Sequence, residues 1–252
     1  MEHRETVRIV PDAKTAVLFI HGIVGTPNHF RDVVPLVQLV PENWSFHNIL
    51  LDGHGGTVDA FAKSSMKKWK TQVWQTFETL ALTHDRVILV AHSMGTLFAI
   101  QLALEFADRI DNLFLLAVPM RPGLRLFGIA NMLKLVFGKI REDRPVELAT
   151  KQVCGVKTTR KLWKYIGWIP RFLELFAQIR KTEKVMGNLT VPCRAYQSKK
   201  DELVMNLSRG VLERNGCFEI VDLPDSTHFY YAPEDRKRIC ADLNRIIENT
   251  PD

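Results

Sequence analysis

The segment that most constrains this chain is residues 91–95, Ala-His-Ser-Met-Gly, which follows the apolar run 87–90 and precedes the helix-like stretch 96–106. The pattern predicts a strand that turns sharply into a helix, with small residues on both sides of the serine because the two backbones approach closely there. A serine on such a turn is pushed out toward solvent. We therefore predict that Ser93 is a nucleophile, although short Gly/Ser turns also occur as plain connectors.

Short apolar segments alternate with amphipathic ones along most of the chain. This alternation predicts an α/β fold in which a mostly parallel central sheet is flanked by helices. The predicted strands are 7–10, 16–20, 45–50, 86–91, 113–118, 193–197 and 218–222, and the predicted helices are 30–40, 66–83, 96–106, 208–215 and 233–249. Such sheets bind ligands at the carboxyl ends of their strands. We therefore expect Ser93 and the other catalytic residues, which should follow strands of this sheet, to meet at one edge of it.

Three further segments carry a resemblance to a known family. They are the His-Gly turn at 21–25 after an apolar run, the Gly-His-Gly loop at 52–56, and a late strand that leads into a loop with His228. Together with the serine turn, usually written G-x-S-x-G, they resemble the α/β-hydrolase superfamily, in particular its bacterial carboxylesterase and monoacylglycerol-lipase branch. Ala91 replaces the first motif glycine. The resemblance implies a Ser, acid, His order along the chain, with His228 as the base.

The acid should lie between Ser93 and His228 and end a strand. Residues 193–197 have strand character, and Asp201 follows them in a polar turn that leads back to apolar residues, which resembles the acid loop of the family. Glu202 is the first alternative. Asp222 and Asp225 are weaker alternatives, because they are so close to His228 that the loop would have to fold back sharply.

Two backbone N–H groups should stabilise the oxyanion of an acyl-transfer intermediate. The positions that match the family's pattern are Ile23 and Met94, with Val24 as a weaker substitute. Among the other histidines, we expect His92 to pack or hydrogen-bond beside the site and His21 to hold its turn. The scheme requires no metal and no organic cofactor.

The strand and helix alternation stops within residues 120–186. This segment is predicted to be a helical cap inserted between two parts of the core, residues 1–119 and 187–252, as in many α/β-hydrolases. A cap over the sheet edge would line the substrate pocket. The residues predicted to do so are Leu124, Phe127, Trp163, Trp168 and Phe172.

The cap also carries the basic charge of the chain, with 15 lysines and arginines against 5 acidic residues. Three interpretations of the charges stay open: solvated faces of lid helices, a surface for transient contact with anionic membranes, or a means of attracting anionic substrates. Nucleic acid is excluded as the least supported partner, because no recognition motif accompanies the charge.

Composition indicates one globular chain of 252 residues, 46% hydrophobic and 25% charged. The first residues lack the apolar core of a signal peptide, so a cytoplasmic location is expected. The predicted function is hydrolysis of short-chain esters or monoacylglycerols, small molecules with an apolar acyl chain. Thioesters, amides or carbon–carbon bonds are alternative substrates for the same triad, and a non-catalytic ligand-binding protein is the remaining alternative.

Overall fold

The computed structural model describes residues 3–123 and 125–251, except for the side chain of Phe127. Seven strands form one sheet: β1 (Thr6–Arg8), β2 (Thr15–Ile20), β3 (Ser45–Asn48), β4 (Arg86–His92), β5 (Ile110–Leu116), β6 (Cys193–Ser198) and β7 (Phe218–Leu223). Their order is β1-β3-β2-β4-β5-β6-β7. Only the β1–β3 pairing is antiparallel among the described strands. The predicted mostly parallel sheet is therefore confirmed.

Helices cover both faces of the sheet. They are α1 (Val58–Ala62), α2 (Met66–Thr83), α3 (Met94–Glu105), α4 (Leu126–Val136), α5 (Pro145–Val153), α6 (Ile169–Val185), α7 (Leu207–Leu212) and α8 (Pro233–Asn249), with 3₁₀ helices at Leu36–Leu39, Leu162–Trp168 and Met186–Asn188. Within the described part of the chain, no helix combines the length and the apolar character that crossing a membrane requires.

Local sequence explains why α2 forms where it does. The hydroxyl of Ser65 accepts a hydrogen bond from the Lys68 amide at 3.2 Å and caps the first turn. The helix then buries residues at helical spacing, and these pack against one face of the sheet: Met66, Trp69, Val73, Phe77 and Leu80. The opposite face of the sheet is covered largely by α8, through Ile239 and Leu243.

The predicted helix over 30–40 is wrong. The structure has a short π-helical turn at His29–Val33 and a separate 3₁₀ helix at Leu36–Leu39. Pro35 lies between them, and a proline has no N–H to donate and clashes with the preceding turn. The apolar spacing alone therefore gave a longer helix than the backbone can form.

Helices α4, α5 and α6 fill the long connection between β5 and β6. Backbone hydrogen bonds join the middle of this connection to the loops that follow β2 and β3. The Gly155 amide donates to the Val24 carbonyl at 2.8 Å, and the Lys157 amide donates to the Gly56 carbonyl at 2.8 Å. A Cβ on Gly155 would lie 2.3 Å from the Gly25 carbonyl oxygen, so the two segments touch backbone to backbone.

Candidate active site

Ser93 lies at the sharp turn between β4 and α3. Its φ of 50° and ψ of −121° are a conformation that residues other than glycine rarely adopt. The Ser93 amide donates to the Leu116 carbonyl at 2.9 Å, which ties the turn to β5. A Cβ on Gly95 would lie 2.2 Å from the Ile20 carbonyl oxygen. Glycine at 95 thus allows α3 to start against the end of β2.

Asp201 and His228 form a buried pair at the ends of β6 and β7. The two carboxylate oxygens of Asp201 lie 2.9 and 3.1 Å from Nδ1 of His228. One of these oxygens also accepts hydrogen bonds from the amides of Leu203 at 2.8 Å and Val204 at 2.7 Å. The carboxylate is therefore fixed on three sides, and it orients the histidine ring.

The pKa of His228 is raised above its ordinary value by a balance of opposing effects. Burial disfavours the imidazolium and lowers the pKa, but the Asp201 carboxylate outweighs burial through its charge and its hydrogen bond, with a smaller contribution from Glu202. The neighbouring carboxylates thus favour the charged form of the ring. Such a ring accepts a proton readily.

The other acidic candidates lie elsewhere. Glu202 is buried, and its Oε2 accepts a hydrogen bond at 2.9 Å from the backbone N–H of His228, not from the ring. Burial raises the pKa of Glu202, while His228 partly opposes that shift. Asp222 pairs with Arg209, and Asp225 pairs with Lys200. Sequence reasoning missed the role of Glu202 as a backbone partner, and no local pattern signals it.

Ser93 and His228 line the same cavity, which has a volume of about 250 Å³. The rest of its wall is almost entirely apolar and comprises Ile23, Pro119, Pro122, Gly123, Phe172, Leu175, Phe176, Leu203 and Val204. A larger open groove of about 860 Å³ runs between residues 50–54 and α2, but it contains none of Ser93, Asp201 and His228. The smaller cavity is the one that the candidate catalytic groups share.

Comparisons with known proteins agree with this architecture. A family model described as the alpha/beta hydrolase fold matches residues 15–138. The chain has the α/β-hydrolase fold. The resemblance identified from the sequence is therefore confirmed at this level, and no curated protein sequence matches the chain.

Solved structures similar to this chain include lipolytic enzymes. One was reported with the metagenome-derived lipolytic enzymes LipS and LipT; it has a TM-score of 0.71 and 17% identity, and the alignment covers 97% of this chain and 98% of the other. A monoacylglycerol lipase from Paleococcus ferrophilus has a TM-score of 0.68 and 15% identity, with 99% and 100% covered. Est1E from Butyrivibrio proteoclasticus, solved with ferulic acid, has a TM-score of 0.64 and 15% identity, with 97% and 94% covered.

The two backbone N–H groups predicted to form an oxyanion hole belong to the turn after β2 and to the start of α3. Ile23 lines the cavity, and Met94 is the first residue of α3. Among the described residues, neither the Ile23 amide nor the Met94 amide has a hydrogen-bond acceptor. Val24 adopts a φ of 58°, and its carbonyl is taken by Gly155. The first two positions therefore offer free donors.

Buried histidines surround the pair. Nε2 of His92 lies 3.0 Å from the backbone carbonyl oxygen of His228. The His92 ring also stacks on the His29 ring, with centroids 3.8 Å apart. His21 bridges its own turn and the next loop, since Nδ1 is 2.8 Å from the Gly22 carbonyl and Nε2 accepts from the Leu51 amide at 3.1 Å. Burial lowers the pKa of His21, His29 and His92 well below the ordinary value, so these rings are neutral.

The residues predicted to line the pocket are only partly found there. Phe172 lines the cavity, whereas Trp163 is exposed and Trp168 packs on Phe61 and donates through Nε1 to the Val58 carbonyl at 3.0 Å. Leu124 lies outside the described residues, and the side chain of Phe127 is not described. Leu175 and Phe176 were missed, although their spacing from Phe172 on α6 could have indicated them.

No metal-binding cluster is found in the part of the chain that the structure describes, where no three His, Cys, Asp or Glu side chains converge.

Proposed function

We propose that this α/β-hydrolase hydrolyses carboxylic esters, with Ser93 as nucleophile, His228 as general base and Asp201 as the group that orients His228. The observation that carries the proposal is that Ser93 and His228 line one cavity while Asp201 holds Nδ1 of His228. The other ring nitrogen, Nε2, is then the one that accepts a proton from serine. Serine hydroxyls need such a base, because they are weak nucleophiles at neutral pH.

In the first half of the reaction, Ser93 Oγ attacks the ester carbonyl carbon as its proton passes to Nε2 of His228. The carbonyl π electrons move to oxygen and form a tetrahedral oxyanion. When this intermediate collapses, the alcohol leaves with the proton from His228, and the acyl group stays on Ser93. Water then repeats the sequence as the nucleophile and releases the carboxylic acid.

The oxyanion is assigned to the Ile23 and Met94 amides. Both donors lack an acceptor among the described residues, so stabilising the oxyanion requires no existing hydrogen bond to break. The start of α3, at Met94, adds the positive end of a helix dipole.

The cavity favours a short, apolar acyl group. Its volume of about 250 Å³ lies just below the range of roughly 300–1,000 Å³ that holds drug-sized ligands. Its walls are mostly apolar, and α6 contributes three of the lining residues, Phe172, Leu175 and Phe176. We therefore assign residues 120–186 as a cap, with short-chain esters or monoacylglycerols as substrates. The similarity to metagenome-derived lipolytic enzymes and to a monoacylglycerol lipase supports this choice.

Fluorophosphonate labelling with peptide mapping tests the proposal. The wild type should be labelled at Ser93 alone, and Ser93→Ala should abolish both labelling and hydrolysis of p-nitrophenyl esters. Ser64→Ala is a matched control, because Ser64 is equally buried and its hydroxyl has no hydrogen-bond partner among the described residues. Labelling that persists in Ser93→Ala would remove the proposed nucleophile.

A substrate panel then separates the ester assignment from its alternatives. The panel contains acetate, butyrate and octanoate esters, a monoacylglycerol, an acyl thioester and an anilide. We expect the short esters or the monoacylglycerol to give the highest kcat/KM. A labelled enzyme that prefers the thioester or the anilide would retain the triad and overturn the substrate class.

A further inference from the structure

The outer face of one helical stretch exposes a row of large apolar side chains. The stretch runs from the 3₁₀ helix Leu162–Trp168 into α6, and the residues exposed on it are Leu162, Trp163, Ile166, Ile169, Leu173 and Phe176, which we call the outer stripe. Their exposed fractions range from 39% to 65%. Within α6, Ile169, Leu173 and Phe176 are spaced by four and three residues, so they share one face of that helix. Leu162, Trp163 and Ile166 lie in the 3₁₀ helix that leads into it.

The outer stripe ends at the mouth of the Ser93 cavity. Phe176 belongs to both, since it is partly exposed and also lines the cavity. The opposite face of α6 is buried against the core through Leu175 and Ile179. The stretch is thus apolar on both sides, and the residues of the outer stripe are not part of the buried core.

Residues 120–186, which contain the stripe, keep a surplus of cations after their ion pairs are taken into account. Each of the five acidic residues within 120–186 is already ion-paired with a lysine or arginine of the same segment: Glu142 with Lys151, Asp143 with Arg141, Glu147 with Lys134, Glu174 with Arg171 and Glu183 with Arg121. Eight cations of the segment have no acidic partner among the residues described: Arg125, Lys139, Lys157, Arg160, Lys161, Arg180, Lys181 and Lys184.

We infer that the outer stripe docks this protein on an anionic lipid bilayer. Large aliphatic and aromatic side chains on one face, accompanied by lysines and arginines, are the composition of helices that lie in the membrane interface. The unpaired cations select anionic headgroups, because a negative leaflet attracts them within about one Debye length, roughly 8 Å at physiological ionic strength. Docking through the stripe would place the cavity mouth against the lipid.

Vesicle co-sedimentation with the full chain tests the inference. We expect binding to phosphatidylcholine vesicles that contain phosphatidylglycerol, weak binding to phosphatidylcholine alone, and loss of binding at high salt. Ile166→Glu should lower the partition coefficient roughly tenfold, because it removes an apolar contact and adds a charge that the anionic surface repels. Ser93→Ala should bind like the wild type, so docking is tested independently of hydrolysis.

Leu82→Glu is the matched control. Leu82 is 85% exposed and lies near the end of α2, whose first residue donates to Glu174 on α6. At 1.5 Å per residue it is roughly 24 Å along the helix from that contact. It should not change vesicle binding. The inference is overturned if the wild type binds neither vesicle, if it binds both equally without a salt effect, or if both glutamate variants lose binding alike. It is also overturned if light scattering shows a dimer that Ile166→Glu dissociates.

Discussion

Four buried neutral histidines should make the stability of this protein fall steeply below neutral pH. Burial lowers the pKa of His54 to about 4 and those of His21, His29 and His92 well below the ordinary value. In the unfolded chain each histidine titrates near 6.5. Because the folded pKa values are depressed, the stability they contribute is present above pH 6.5 and is lost as pH falls.

The size of the effect follows from proton linkage. Each additional proton bound by the unfolded chain lowers the free energy of unfolding by about 1.4 kcal/mol per pH unit. Between about pH 6.5 and 5.5, the four histidines together remove roughly 4 kcal/mol, a large share of the roughly 5–15 kcal/mol typical of a folded domain. His228 and Glu202 act in the opposite direction, because their folded pKa values are raised.

Urea unfolding monitored by circular dichroism measures this. The extrapolated free energy should fall by several kcal/mol between about pH 7.5 and 5.5, and His29→Gln should reduce the slope by about one proton. Glutamine suits this position because its amide can keep a hydrogen bond to the Tyr231 hydroxyl, which lies 3.1 Å from Nε2 of His29. Unfolding curves that coincide across this pH range would show that the buried rings are not neutral in the folded state, and the reasoning would fail.

Three further predictions concern the site itself. Ser93→Gly should raise the melting temperature by a few degrees, because glycine adopts the φ of 50° without the strain of roughly 1–3 kcal/mol, whereas Ser93→Ala keeps that strain and should not raise it. Equal melting temperatures of the two variants in calorimetry would contradict this. Asp201→Asn should lower kcat by roughly 10³- to 10⁴-fold, because the amide favours the wrong tautomer of His228, whereas Glu202→Gln keeps an oxygen for the backbone amide and should lower kcat far less. If steady-state kinetics gave the reverse order, the roles of the two residues would be exchanged. Phe172→Ala should shift the preferred acyl length upward and leave acetate hydrolysis nearly unchanged, and an unchanged ranking in the ester panel would remove it from the pocket.

Strands and turns that depend on a few neighbouring residues could be predicted from the sequence. Strands β2 and β4 follow from apolar runs bounded by polar residues, and the turn at Ser93 follows from the small residues beside it. The predicted helix over 30–40 is wrong because an apolar spacing does not report the break that Pro35 imposes. Asp201 was chosen from its position after a strand, and the structure places it against the His228 ring.

The direction of the side chains within residues 120–186 could not be predicted. Trp163 and Trp168 both lie in an apolar run, and composition assigned both to the pocket, but Trp163 is exposed and Trp168 packs against α1. Both sides of this stretch are apolar, so periodicity could not identify the side that faces the cavity. The contact of Glu202 with the backbone of His228 likewise depends on how two distant loops meet.

The close contact at Gly155 determines how access to Ser93 can change. Because the chain touches the turn of Val24 and Gly25 backbone to backbone there, this part of residues 120–186 cannot move away from the sheet without displacing the turn that carries Ile23. Gly155 is therefore a fixed point in the connection between β5 and β6. Under the proposed function, a movement that admits a ligand would bend the chain on either side of residue 155, at α4 before it and at α6 after it, and would leave the proposed oxyanion donors in place.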